Sequence, residues 1–393
     1  MNPDILDSEV QHYIRQHLHE DAYKIAMAKS PFPTVSGQEL AGQIVAKQKC
    51  LKKLPLWYER SFLYFPPVLS IEQCSSERTA IYKSRLALKG TLIDLTGGFG
   101  VDSFYFAKSC SSVTHCELNQ ELSEIAAHNA ATLGQDNLTF FAGDGIAQLQ
   151  NNTTHYDNIY IDPARRGTMG KVFMLKDCTP NVVENLSLLL SRAHRVILKT
   201  APLLDLSSGL KELHHVAEIH IVSVRNECKE LVWILEKKQP EALIISCITL
   251  NEEEKIFSFI KGEEELEARL LQGPVQEYLY EPDAALLKSG AFNLIGERYG
   301  LFKLQHQTQL YTSASAIPEF PGRRFKVRGF LSATTLKKEK NLKANVISRN
   351  YPDKAEQLVK KYKIKPDQLR FLIFTQTKDG GNVIIDTEIE QHY

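Results

Sequence analysis

Leu92-Ile93-Asp94-Leu95-Thr96-Gly97-Gly98-Phe99-Gly100-Val101-Asp102 decides the fold. The apolar residues around Asp94 read as a buried strand, and the glycines after them as a turn that opens a helix. Glycines at 97, 98 and 100 let backbone N–H groups approach a ligand where a side chain would stand in the way. The helix after the turn presents free N–H donors. Turns of this kind serve many nucleotide-binding folds, so the reading depends on residues placed downstream at fixed intervals.

A second apolar strand, Val113 to Leu118, carries Glu117 near its end, 23 residues after Asp94. An acid at about this distance, roughly 20 residues in the dinucleotide folds, can accept hydrogen bonds from both hydroxyls of a ribose. A helix over 120–133 leads to a third strand, Leu138 to Phe141, which ends in Gly143-Asp144-Gly145. Asp144 is placed to accept from an adenine amino group, or to cap the next helix. A fourth strand, Asn158 to Ile161, ends in Asp162-Pro163-Ala164-Arg165-Arg166-Gly167. Polar groups at four strand ends converge on one rim of the sheet, where open α/β sheets bind ligands. A dinucleotide site expects a third glycine, and Thr96-Gly97-Gly98-Phe99-Gly100-Val101-Asp102 lacks it at the expected place. Arg195 to Lys199 predicts a fifth strand, and Val216–Val224 with Leu231–Leu235 a closing hairpin whose connection is 225–230.

The acid of the first strand, the acid of the second, the acid after the third and Asp-Pro after the fourth together resemble the S-adenosylmethionine-dependent methyltransferases. Over most of its length the chain is similar to one group of these, the bacterial methyltransferases with a C-terminal THUMP-like domain. The similarity is carried by Lys53-Leu54-Pro55-Leu56-Trp57, Glu72-Gln73-Cys74-Ser75-Ser76-Glu77, the 94–102 turn, Asp162-Pro163-Ala164-Arg165-Arg166, Asn226-Glu227-Cys228-Lys229-Glu230 and Tyr280-Glu281-Pro282-Asp283. The resemblance implies a Rossmann-like class I methyltransferase sheet with an N-terminal helical domain (1–88), a cofactor domain (89–239) and a C-terminal α+β THUMP-like domain (240–393). It implies S-adenosylmethionine as cofactor, on Asp94, Thr96, Gly97, Gly98, Gly100, Asp102, Glu117 and Asp144. It also implies flanking modules that hold RNA, a tRNA or an rRNA.

Methyl transfer from a sulfonium is a direct displacement, so the protein must align the nucleophile and manage its proton. Asp162 stands where the methyl should lie, Pro163 stiffens the loop, and Arg165 and Arg166 could bind a substrate phosphate or pair with acids. Enzymes that methylate base amino groups often carry a second proline and an aromatic residue here; this chain has Ala164 and Arg165. The run also looks like the Asp-Pro-x-Arg-x-Gly of uracil C5 methyltransferases. Those need a cysteine nucleophile after the fifth strand, where this chain has Lys199-Thr200-Ala201-Pro202; only Cys228 could substitute.

The chain of 393 residues has room for two or three domains. Its polar, acidic start is no secretory signal, and no apolar run nears the roughly 18 residues of a membrane span. Seven cysteines stand singly without metal-ligand spacing, which suits a reducing cytoplasm and no metal. Lys47, Lys49, Lys52 and Lys53 read as a solvated helix face or as a phosphate contact. Glu252–Glu254 and Glu263–Glu265 make the start of the last domain acidic. Residues 323–370 then hold fifteen basic residues and four acids, a surplus of eleven in a chain of zero net charge. Arg323, Arg324, Lys337, Lys338 and Lys340 are the nucleic-acid candidates, with Phe325, Phe330, Tyr351 and Tyr362 able to stack on bases or to pack in the core. The function predicted is an S-adenosylmethionine-dependent methyltransferase acting on RNA. The alternatives are an RNA-binding protein that keeps the fold without catalysis, and a methyltransferase of small molecules or proteins.

Overall fold

The computed structural model describes residues 1–165 and 174–393. They form two compact units, residues 1–217 with 232–241, and residues 218–231 with 242–393.

In the first unit the strands are β1 (Thr91–Asp94), β2 (Ser112–Glu117), β3 (Leu138–Ala142), β4 (Tyr156–Ile161), the short ribbon β5 (Ala164–Arg165) with β6 (Cys178–Thr179), and β7 (Ala193–Thr200). The main strands lie in the order β7-β4-β1-β2-β3, every pair parallel. Their apolar runs are buried, Leu92 and Ile93 in β1, Ile159 to Ile161 in β4, Val196 to Leu198 in β7, as strands covered on both faces require. Parallel register sets the strand ends side by side. Asp94 lies opposite His115 and Tyr160, and Glu117 opposite Ala142. The glycine turn, Glu117, Asp144 and Asp162 therefore leave the sheet on one rim.

The N-terminal region is helical, as its apolar spacing predicts. A capping box between Ser36 and Glu39 starts its longest helix, Gly37–Lys53. Leu54, Trp57, Phe65, Ile71 and Ala80 share one core with Phe99, Phe104 and Ile125 of the cofactor region. The Trp57 ring stands edge-on to Phe104 at 5.0 Å. The lysines of this region are largely committed to the protein itself. Lys47 is buried on the carbonyl of Arg60 at 3.2 Å, Lys49 pairs with Glu72 at 2.9 Å, and Lys53 donates to the Glu72 carbonyl at 2.6 Å.

Strands β8 (Val216–Val224) and β9 (Glu227–Glu236) form the expected hairpin, but with a tighter turn. Only Arg225 and Asn226 connect them, both in the left-handed region at φ 51° and 60°. Such two-residue turns match the twist of the flanking strands, and polar Glu227-Cys228-Lys229-Glu230 is strand rather than loop.

In the second unit β10 (Ile244–Leu250) runs parallel to residues 218–223 of β8 and antiparallel to β11 (Glu254–Ile260). The remaining strands are β12 (Tyr278–Pro282), β13 (Phe302–Gln305), β14 (Thr308–Ser313), β15 (Gly322–Leu331), β16 (Asn345–Ser348), β17 (Arg370–Gln376) and β18 (Asn382–Gln391). They make one sheet in the order β13-β14-β12-β15-β18-β17-β16. It curls until its two edges meet: Asn350, just past β16, donates to Thr308 of β14 at 3.2 Å and to Gln305 of β13 at 3.3 Å. Leu279, Leu310, Phe325, Ile347, Ile373 and Ile385 fill one side. Another core, with Leu336, Leu358, Tyr362, Leu372 and Phe374, includes residues of the helices Ala333–Lys338 and Ala355–Tyr362.

Candidate active site

The glycine turn is shaped by the residues beneath it. A Cβ on Gly97 would fall 2.2 Å from Nε2 of His115, so no larger residue fits above β2. Burial pushes the His115 imidazole down to about 4, so it packs as a neutral ring. Gly98 and Gly100 have φ of 55° and 84°, a region that L side chains avoid. A Cβ on Gly98 would meet nothing nearer than 3.9 Å. Space for a ligand is thus open at Gly98 and closed at Gly97.

Glu117 sits beside that space. One carboxylate oxygen accepts from Gly98 N at 2.9 Å and the other from Asn119 N at 2.8 Å. A carboxylate offers about four acceptor positions, so two remain, as many as the two hydroxyls of a ribose would need. Asp144 caps the helix Gly145–Asn151. Its Oδ1 takes both Ile146 N (2.8 Å) and Ala147 N (3.2 Å), and Oδ2 has no hydrogen bond among the described residues. The cap and the ligand role are compatible, one oxygen each. Leu118, directly after Glu117, leaves an apolar side chain 70% exposed beside that space; its apolar character alone places it in the strand and gives it no role.

Asp94 and Asp102, both expected at the cofactor, have other work. Asp94 is fully buried; it accepts from Thr96 N at 3.0 Å and Ser103 Oγ at 2.5 Å and so holds the turn from below. Its carboxyl is pushed up to about 7, by burial first and then by Asp102 and Asp162, against the hydrogen bonds from Ser103 and Thr96. Asp102 is pinned by Lys83 at 3.2 Å, Ser75 Oγ at 2.7 Å and Tyr160 Oη at 2.7 Å. Burial drives its carboxyl upward, yet Lys83, Lys199 and these hydroxyls outweigh it and leave it below the ordinary value. Lys83 is fully buried and also donates to Ser75 at 2.8 Å. Sequence pattern does not flag a buried lysine, and Lys83 was not among the expected site residues. The only hint is that Ser75 belongs to the Glu72–Glu77 run.

At the end of β4 the structure brings together Thr96, Asp162 and Lys199. Thr96 Oγ1 accepts from Asp162 N at 2.7 Å, which ties the turn to the end of β4. Lys199, from β7, forms an ion pair with Asp162 Oδ2; their side chains are 13% and 32% exposed. Among the described residues Oδ1 of Asp162 carries no hydrogen bond. Pro163 is buried. Arg165 pairs through its backbone with Cys178 in the ribbon; Arg166 lies outside the described residues. Burial pushes the Cys228 thiol up to about 12, so it supplies no thiolate.

In the basic region the structure separates arginine from lysine. Arg323 is paired with Glu281, and Arg324 lies 3.4 Å from Glu390, both largely buried. Arg328, Arg349 and Arg370 pair with Glu388, Glu281 and Glu339 with Asp386. Arg323 and Arg324, both nucleic-acid candidates from the sequence, are thus paired within the protein by acids on strands distant in sequence. Lys337, Lys338 and Lys340 are exposed and, among the described residues, without ion pairs, as are Lys343, Lys354, Lys360, Lys363 and Lys365. Phe325 and Tyr362 are core, Tyr351 is half-buried, and Phe330 is exposed.

An open parallel sheet with a glycine turn, a ribose-spacing acid and Asp-Pro on one rim defines the class I methyltransferase type of site. Comparisons agree. Residues 278–321 match the model of a ferredoxin-like domain and residues 322–388 that of a THUMP-like domain. A crystal structure described as that of a candidate methyltransferase from Porphyromonas gingivalis W83 is 31% identical, spans 98% of both chains and superposes with a TM-score of 0.87. An uncharacterized S-adenosylmethionine-dependent methyltransferase of Mycobacterium tuberculosis is 24% identical over 301 residues, 77% of this chain and 78% of that protein. A 23S rRNA (uracil(1939)-C(5))-methyltransferase of Shewanella sediminis is 35% identical over 94 residues, 23% of this chain and 21% of its own. The chain belongs to the class I S-adenosylmethionine-dependent methyltransferases that carry a C-terminal THUMP-like domain. The clear space at Gly98 and the unused acceptors of Glu117 and Asp144 fit that cofactor.

Replacing Glu117 by alanine should weaken S-adenosylmethionine binding by about 1.5–3 kcal/mol, the worth of a charged hydrogen-bond partner; calorimetry showing unchanged affinity in a folded variant removes Glu117 from the site. Asp94, raised from 3.8 to about 7, binds its proton more tightly in the folded state. Its contribution to stability is therefore full below about pH 4 and lost as pH rises through about 7. Thermal melts of Asp94→Asn against wild type should show the variant gaining relative stability across that window; a gap independent of pH contradicts the buried-acid assignment.

Proposed function

We propose that the protein methylates a nitrogen or oxygen of an RNA nucleotide, a tRNA or an rRNA. The observation that carries the chemistry is Asp162: held by Thr96 through its backbone and by Lys199 through Oδ2, it keeps Oδ1 for the substrate. Bound S-adenosylmethionine supplies a methyl group on a sulfonium, ready for direct displacement. The chain's residues do the rest. Glu117 and Asp144 hold the ribose and the adenine, and Leu118 packs against the ring. Asp162 Oδ1 accepts the hydrogen bond of the nucleophile's N–H or O–H and aims its lone pair at the methyl. Lys199 fixes the rotation of that carboxylate. Carbon methylation at uracil C5 is disfavoured, because Lys199-Thr200-Ala201-Pro202 offers no thiol and the Cys228 thiol stays protonated.

The RNA reading draws on two supports. Two of the relatives are named as RNA methyltransferases, each aligned over less than a quarter of this chain. The THUMP-like region also carries eight exposed lysines without ion pairs among the described residues. Lysines of this kind act as point charges on phosphates, giving affinity without sequence choice. In this reading residues 1–88 brace the cofactor domain, 89–239 perform the transfer, and 240–393 hold the RNA. The role proposed for Arg165 is the one its sequence position suggests, contact with a substrate phosphate. Among the described residues no helix is long and apolar enough to cross a membrane, and no group of three ligand-type side chains could hold a metal. Seven cysteines without a disulfide suit a reducing cytoplasm.

Asp162→Ala should keep the wild-type affinity for S-adenosylmethionine and lose at least about a hundredfold in tritiated methyl transfer to bulk RNA. Full transfer by the variant removes Asp162 from the reaction. Reversing Lys337, Lys338 and Lys340 to glutamate should weaken RNA binding in fluorescence anisotropy and flatten its dependence on salt, by a slope of about 0.7 for each phosphate no longer neutralised. An unchanged slope leaves these lysines as ordinary solvated surface.

A further inference from the structure

Tyr280-Glu281-Pro282-Asp283 has no part in the chemistry at Asp162, yet Glu281 organises a second place in the molecule. Glu281 is buried on β12, in register with Arg323 on β15. Its Oε2 accepts from Arg323 Nε at 2.8 Å and from a second nitrogen of the same guanidinium. Its Oε1 lies 2.7 Å from Nη2 of Arg349, just beyond the end of β16. One carboxylate thus holds two guanidiniums, brought together by the curl of the sheet. Arg323 is further sandwiched by Tyr393, Phe325 and Phe371 at 4.8, 5.4 and 5.6 Å. Arg349 remains 45% exposed. The two arginines line a cavity of about 790 Å³ together with Lys354, Tyr351, Asn345 and Phe371.

The charges of this cavity do not cancel. Two guanidiniums share one carboxylate, which leaves one positive charge over, and Lys354 adds a second. Of the acids on the lining, Asp353 is paired with Lys361 at 2.8 Å, and Glu356, exposed at the start of the helix Ala355–Tyr362, offsets one of the two, so that a surplus of one positive charge remains. Arginine carries five N–H donors. Arg349 spends one on the Ser348 carbonyl at 3.1 Å and is held beside the cavity by its ion pair with the buried Glu281, so donors remain for a ligand. A guanidinium held in place before the ligand arrives loses little freedom on binding.

We propose that this cavity is a phosphate site that takes one phosphate-bearing nucleotide unit. Arg349 and Lys354 meet the phosphate, Arg323 is the fixed inner charge, and Tyr351 and Phe371 give the sugar and base an apolar wall. The choice of a nucleotide phosphate over a carboxylate rests on the RNA reading of this region. The phosphate can belong to a free mononucleotide or to an RNA chain.

The test uses the full-length protein with saturating S-adenosylhomocysteine, so that the cofactor site is filled. Calorimetry with uridine 5′-monophosphate and with uridine, and anisotropy with a short RNA with and without a 5′-phosphate, read the site. Uridine 5′-monophosphate should bind and uridine should not. Arg349→Gln and Lys354→Gln should each lower the affinity about tenfold, the worth of one charge-assisted contact. Lys354 is exposed and outside the ion pairs of the described residues, so Lys354→Gln decides the matter if removing Arg349 from Glu281 perturbs the fold. A tighter grip on the phosphorylated RNA than on the mononucleotide assigns the site to the chain, and the reverse order to a free nucleotide. No binding at millimolar uridine 5′-monophosphate, equal binding of uridine, or wild-type affinity in Lys354→Gln overturns the proposal. Salt-dependent RNA binding without mononucleotide binding removes the cavity and keeps the RNA reading; mononucleotide binding without RNA binding does the opposite.

Discussion

The rim of this enzyme depends on a carboxylate held from three sides by the protein itself. Asp102 stands in the first turn of the helix after the glycine turn, and three separate elements grip it: Lys83 and Ser75 from the N-terminal helical region, and Tyr160 from β4. Losing one partner of a buried ion pair typically costs about 3–5 kcal/mol, because the other charge is left alone. The pair therefore fixes where the helix starts relative to β4, and with it the path of Thr96 to Gly100. This gives a physical reason why the N-terminal helices share a core with the cofactor region: they supply the countercharge that the turn needs.

From that anchor the chemistry is reached by short steps. Asp94 secures the turn through Thr96 N, and the Thr96 hydroxyl in turn accepts from Asp162 N. Asp162 is thereby set at the end of β4 with one oxygen committed to Lys199 and one available. A lysine at the end of β7, where C5 methyltransferases need a thiol, changes what the site can do: it orients an acceptor for a proton-bearing nucleophile and offers no covalent addition to carbon.

The parts of this design that are local in sequence are legible there. The glycine turn, Glu117, Asp144 and Asp-Pro each sit at the end of an apolar run, and parallel strands bring such ends together. The features that sequence conceals are long-range. Asp94 and Asp102 look like ligand acids, and only burial shows that they face inward. The surplus of charge over 323–370 looks like one basic surface. The structure brings Glu281, Asp386, Glu388 and Glu390 from flanking strands onto its arginines, so that eight exposed lysines make up the part of it without ion pairs among the described residues. The connection expected at 225–230 shrinks to two residues because Arg225 and Asn226 accept positive φ. Pairings across 42 and 68 residues, Glu281 with Arg323 and Arg349, leave no periodic trace in the chain.

The central claim is that Asp162 directs a methyl group to a nitrogen or oxygen of RNA. Its most direct test is mass spectrometry of nucleosides from the ribosomal and transfer RNA of a strain lacking this protein, compared with its parent. The expected result is that one nucleoside methylated on nitrogen or oxygen disappears, returns with the wild-type gene and stays absent with Asp162→Ala. An unchanged set of methylated nucleosides, or the disappearance of one methylated on carbon, contradicts the claim.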